Sequence, residues 1–124
     1  MLRILLVGLG GFVGTLFRYW LSGVIARRYG ETFPLGTLVV NAIGCFIIGF
    51  LFYFFYDRSL TTPTARTVVL IGVIGGFTTF SSYGLQTFTL LRDGELFLAL
   101  VNVVASNALG LALVWLGYIL AKAI

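Results

Sequence analysis

Histidine is absent and cysteine occurs once, at Cys45. The only carboxylates, Glu31, Asp57, Asp93 and Glu95, fall in the connections between apolar runs. With no carboxylate pair, no Cys/His cluster and no nucleophile beside a base, the chain lacks the parts of a catalytic centre, and we expect no enzyme. A lone cysteine excludes an intrachain disulfide; in its apolar setting Cys45 reads as a small buried packing residue. Charge is scarce as well: charged residues make up 10% of the 124 and hydrophobic ones 60%, with a mean hydropathy of +1.08. That excludes the composition of a soluble domain and points to an integral membrane protein. Period-two alternation is missing, which excludes a β-barrel, and no internal repeat is visible.

What remains is four apolar runs, Ile4 to Ala26, Leu35 to Tyr56, Thr67 to Leu91 and Leu96 to Ala121. Each exceeds the roughly 20 residues that a helix needs to cross the hydrocarbon core. The first is interrupted by Arg18 and precedes no small-x-small cleavage site, so it reads as a retained helix and not a signal peptide. The expected fold is therefore all-α, one four-helix transmembrane domain over residues 1–124. Tyr56 to Thr64 and Arg92 to Glu95 read as short connections, and Pro34 suits the first turn of the second helix.

The third run carries Gly75-Gly76-Phe77-Thr78-Thr79-Phe80-Ser81-Ser82-Tyr83 in its middle. A glycine costs about 1 kcal/mol against alanine in a helix interior, and the hydroxyls that follow compete for backbone hydrogen bonds. A break in the helix is predicted here. Irregular backbone at membrane depth persists only where protein, a watery cavity or an ion satisfies it, which makes this stretch the first place to look for function.

Polar residues elsewhere follow helical spacing. In the second run Thr37, Asn41, Gly44 and Cys45 share a face. Asn41 serves there either as glue between helices or as a donor lining a path, because burying its amide unpaired would cost a few kcal/mol. Ser82, Gln86 and Thr89 continue a line in the third run, with Phe80 and Tyr83 on a neighbouring face, and Asn102 and Ser106 lie on the fourth, with Asn107 to one side. Gly10 and Gly14 form a GxxxG that suits close helix packing. Arg18, one turn later, either faces a vestibule or snorkels among Tyr19 and Trp20.

The net charge of +4 reads through topology. Arg3, Arg58, Arg66 and Lys122 share one side of a four-span chain and Arg27, Arg28 and Arg92 the other, a difference of one between sides. Orientation follows the bias of basic residues in short loops, so near-balance predicts insertion in both directions and an antiparallel homodimer. Neutral donors on three spans, with no acid in any, favour an anion pathway over a cation pathway, and ring edges add positive poles to it.

These residues resemble the Fluc (CrcB-type) fluoride channels over nearly the whole chain. The resemblance is carried by Gly10-Gly11-Phe12-Val13-Gly14-Thr15-Leu16-Phe17-Arg18-Tyr19, Gly36-Thr37-Leu38-Val39-Val40-Asn41 with Gly44, and Gly75-Gly76-Phe77-Thr78-Thr79-Phe80-Ser81. It implies a dual-topology antiparallel homodimer in the bacterial inner membrane, with two fluoride pores beside a central structural sodium ion and passive export of fluoride. By the same resemblance, backbone carbonyls of Gly75 and Thr78 hold the sodium, Asn41 donates to fluoride, and Phe80 and Tyr83 present ring edges. Thr79, Ser81 and Ser82 add hydroxyls, and Arg18 draws anions into a vestibule. The family pattern has Phe where this chain has Tyr83, whose hydroxyl either donates to fluoride, narrows the path or slows conduction. A small multidrug-resistance-type proton-coupled antiporter is the alternative of similar size, but that class depends on an acid in its first helix and here only Arg18 is ionisable. A non-transporting membrane subunit with polar helix glue is the third reading.

Overall fold

A computed structural model describes all residues, Met1–Ile124. Four helical spans are long and apolar enough to cross a membrane: Leu2–Tyr29, Leu35–Asp57, Pro63–Arg92 and Leu96–Ala123. The chain is all-helical and its composition and spans make it a multi-pass membrane protein. The second and fourth spans pack most extensively, and the first span lies against the first half of the third.

Glycine decides how close these helices come. A Cβ at Gly49 would run into the Val114 carbonyl, one at Gly117 into the Phe46 carbonyl, and one at Gly14 into the Val73 carbonyl. Since lipid tails are as apolar as leucine, helices associate in a bilayer through such backbone-to-backbone packing and interhelical hydrogen bonds. Gly10 and Gly14 are both buried against the third span, so the GxxxG of the first span is a packing face.

Two features differ from the sequence expectation. The second span ends in a π-helical turn, Tyr53–Asp57, and the third contains a π-helical stretch, Val68–Ile74. Tyr56 and Asp57 therefore belong to a helix and not to a loop, and the third span starts earlier, at Pro63. Its start is a proline in the first turn behind Thr62, whose hydroxyl accepts from the Ala65 N–H at 3.2 Å, an N-cap arrangement. The π-helical turn is tied at its far end by Tyr118, which donates to Asp57 Oδ2 at 2.7 Å, and Arg66 lies over the Tyr56 ring at 4.2 Å.

In chain order the α-helices are α1 (Leu2–Tyr29), α2 (Leu35–Phe52), α3 (Pro63–Thr67), α4 (Gly75–Phe77), α5 (Phe80–Arg92) and α6 (Leu96–Ala123). The third span is broken between α4 and α5 at Thr78 and Thr79, both extended. The break falls inside the predicted nonapeptide. Beyond α5, Gly94 turns the chain with φ 81°, a conformation for which glycine is suited.

Replacing Gly117 by Val should destabilise the protein by about 1–3 kcal/mol, the usual range for overpacking, whereas Gly8→Ala, whose Cβ meets nothing within the protomer, should leave stability at or above the parent's. Thermal unfolding in detergent compares the two.

Candidate functional site

At the break the N–H groups of Thr79 and Ser82 leave the helical ladder for side-chain partners. Thr78 N–H still reaches Ile74 O at 2.9 Å. Thr79 N–H, which a continuous helix would aim at the Gly75 carbonyl, donates instead to Asn41 Oδ1 at 2.8 Å. Asn41 Nδ2 donates to the Thr79 carbonyl at 3.0 Å, so one amide clasps both polar groups of one extended residue. Ser82 N–H, the helical donor for the Thr78 carbonyl, donates to Thr79 Oγ1 at 3.2 Å, which makes Thr79 the N-cap of α5. The carbonyls of Gly75 and Thr78 have thus both lost their α-helical donors to side chains.

The Gly76 carbonyl is treated differently. Arg18 Nε donates to it at 3.1 Å and Thr15 Oγ1 at 3.4 Å, both from the first span. Arg18 is therefore anchored at the break through one of its five N–H groups, and the residue lines a cavity of about 750 Å³. Thr37, Ser82, Gln86 and Thr89 share that wall. So do Glu31, Asp93 and Glu95, contributed by the two connections at its mouth; Asp93 is paired with Arg92 at 2.8 Å. The cavity is consequently not uniformly positive: its cation sits beside the break and its acids in the connections.

A second, narrower groove of about 310 Å³ opens on the other side of Thr79, which lines both spaces. Asn41, Thr78, Phe80, Tyr83 and Asn107 line it. The Phe80 and Tyr83 rings stand 5.4 Å apart at 48°, and Phe80 is 82% exposed on the single chain. Of the two N–H groups on the Asn41 amide, the clasp uses one as donor, which leaves the second available. The first two N–H groups of α5, at Phe80 and Ser81, have no intrahelical acceptor and form the positive end of that helix beside the groove.

The structure thus brings Asn41, Gly75, Thr78, Thr79, Phe80 and Tyr83 to one groove and Arg18 and Ser82 to the cavity, with Thr79 lining both. Ser81 lines neither; it is exposed, with its Oγ 3.4 Å from Thr79 Oγ1. On the fourth span, Asn102 is 2% exposed and donates to Thr87 Oγ1 at 2.9 Å, with Ser106 Oγ reaching Asn102 Oδ1 at 3.4 Å. The Asn102–Thr87 bond ties the fourth span to α5 as helix glue, and Ser106 lines the groove as well. Sequence reasoning missed Thr15, whose signal was its position three residues before Arg18 on one helical face.

Asn41→Ala should cost about 2 kcal/mol, because it strands an N–H and a carbonyl at membrane depth. Thr79→Ala should cost about 1 kcal/mol, the value of a lost N-cap, and Thr79→Ser should restore most of it. Detergent unfolding midpoints of the three variants check this order.

Similarity to known proteins extends over nearly the whole chain. A family model described as CrcB-like protein, Camphor Resistance (CrcB), matches residues 5–118. The fluoride-specific ion channel FluC of Opitutus terrae is 54% identical over 119 residues, covering 94% of this chain and 90% of the relative. The proteins of the same name from Aquifex aeolicus and Citrifermentans bemidjiense are each 42% identical, over 118 and 122 residues, with coverage of 95% and 98% of both chains respectively. The family match over most of the chain and the near-complete coverage on both sides establish that the protein belongs to the CrcB-type Fluc fluoride channel family.

Proposed function

We propose that the chain forms a fluoride-selective channel of the bacterial inner membrane, through which fluoride leaves passively down its electrochemical gradient. The observation that carries this reading is the groove at the helix break: uncharged donors and ring edges, with no acid among its lining residues. A cation pathway would want carboxylates or rings of carbonyls, whereas oriented neutral donors suit an anion. The relatives' shared name specifies the anion.

The working unit in this reading is an antiparallel homodimer with two pores. In one protomer the groove is open to the side, and Phe80 and the polar Asn107 are exposed at membrane depth. Apolar side chains can face lipid, but exposed polar groups inside the bilayer need protein or water. A second, inverted copy would cover them, and the near-equal basic charge of the two sides permits it.

The residues also fit a structural sodium ion. Gly75 and Thr78 carbonyls, deprived of their helical donors by Asn41 and Thr79, are the kind of oxygen that a hard cation takes as ligands. Contributed by both copies, they would hold the ion between the pores, where its charge would satisfy these oxygens and join the protomers.

Fluoride would enter the wide cavity beside Arg18, whose spare N–H groups offset the acids at the mouth. It would exchange water for the Ser82 hydroxyl as the space narrows, with Thr79 Oγ1 orienting that hydroxyl by donating to Ser82 Oγ at 3.0 Å. In the groove the free N–H of Asn41, the Tyr83 hydroxyl and the Phe80 ring edge would take the place of the last hydration waters. Each bond is individually modest, so the ion is passed along and not trapped. A larger halide spreads its charge and would gain less from donors set for a small ion.

Purified protein reconstituted alone into liposomes should release fluoride, read with a fluoride electrode at equal pH on both sides, with no matching release of chloride. Proton-coupled efflux of a lipophilic cation or no flux would contradict the channel. Asn41→Asp, which sets a negative charge on the path, should lower fluoride release about tenfold or more. Replacing sodium by N-methylglucamine throughout purification should lower the thermal midpoint of the dimer, and an unchanged midpoint would refute the sodium assignment alone.

A further inference from the structure

Tyr83 is held by a residue outside the helix that bears it. Asn107, on the fourth span, places Nδ2 at 2.8 Å from the Val103 carbonyl and at 3.3 Å from Tyr83 Oη. A carbonyl oxygen only accepts, so the nitrogen of the Asn107 amide must face it. That fixes which way round the amide sits. Its two N–H groups are then both assigned, one to Val103 and one to Tyr83, and the phenol oxygen is an acceptor in this contact. A phenol has one hydrogen to give, and Tyr83 makes no hydrogen bond as a side-chain donor within the protomer. Tyr83 lines the groove together with Asn41, Phe80 and Asn107 itself.

We propose that Asn107 is a positioning residue for ion passage: by donating to Tyr83 Oη it holds the ring against the groove wall and reserves the phenol hydrogen for the anion. The inference rests on the fluoride-channel reading and adds to it a partner that decides the polarity of one contact. Were the residue at position 107 an acceptor, the phenol hydrogen would be spent on the protein and the groove would see only oxygen lone pairs. With Asn there, an O–H replaces the weaker C–H ring edge that a phenylalanine would offer.

The test is fluoride release from liposomes, measured as maximal rate and half-saturating concentration, for the parent, Asn107→Asp, Asn107→Leu, Tyr83→Phe and the two double variants with Tyr83→Phe. A carboxylate only accepts, so Asn107→Asp captures the phenol hydrogen and should reduce flux about tenfold, as expected when a donor to a charged ion is lost. Asn107→Leu frees the ring without capturing the hydrogen and should reduce flux about threefold while raising the half-saturating concentration. Both losses should disappear in the Tyr83→Phe background. If Asn107→Asp lowers flux equally in that background, the added charge repels the ion directly and the assignment is wrong. Equal losses from Asn107→Leu in both backgrounds, or no loss from either single variant, also overturn it. Should Asn107→Asp fail to yield dimer, the Asn107→Leu pair decides alone. These failures leave the channel intact, since the parent still conducts; a parent that passes no fluoride overturns the channel reading and this assignment with it.

Discussion

One side-chain amide makes the broken third span possible. An extended residue in the middle of a membrane helix releases an N–H and a carbonyl into a medium that offers neither a partner, and each such group left alone costs on the order of several kcal/mol. Asn41 meets both demands at Thr79 through bonds of 2.8 and 3.0 Å. The other assignments follow from that clasp. Thr79 is fixed and so caps α5 with its hydroxyl. The Thr79 and Ser82 N–H groups are diverted, and the carbonyls of Gly75 and Thr78 are left as free oxygens. The Gly76 carbonyl falls within reach of Arg18 and Thr15.

The clasp works only because the backbones are close. Gly44 sits one turn beyond Asn41 on the second span, and a Cβ there would strike the Thr78 side chain. On the opposite flank, a Cβ on Gly76 would come within 2.6 Å of the Gly11 carbonyl. Small residues thus let the first and second spans grip the break from two sides. In a bilayer this approach replaces the hydrophobic drive that would assemble a soluble core.

Much of this was legible in the residues. The glycine pair followed by hydroxyls announced the break, because propensity and side-chain competition point the same way there. The four spans followed from hydropathy alone. Asn41 was open between glue and donor, and the geometry shows why one reading does not displace the other: the clasp uses one N–H of two. Arg18 was likewise open between vestibule and interface, whereas the structure commits its Nε to a backbone carbonyl in a residue that also lines the cavity. The π-helical stretches were not legible, since an apolar run such as Val68–Ile74 reads alike in either helix type. Ser81 shared the motif with its neighbours, yet its helical angle turns it away from both spaces. Tyr83 stood out only as a departure from Phe; its meaning depended on a residue twenty-four positions later, which helical periodicity does not connect.

The central claim is that the groove beside Thr79 is half of a conduit, completed by a copy inserted the other way up. It is tested most directly by replacing Cys45 with Ser, placing a single cysteine at Glu31 in the first connection, and labelling intact cells with a membrane-impermeant maleimide. The account predicts that about half of the chains are labelled from outside and the remainder only after the membrane is opened, as an equal mixture of orientations requires. Labelling of all chains or of none from outside would show a single orientation and contradict it.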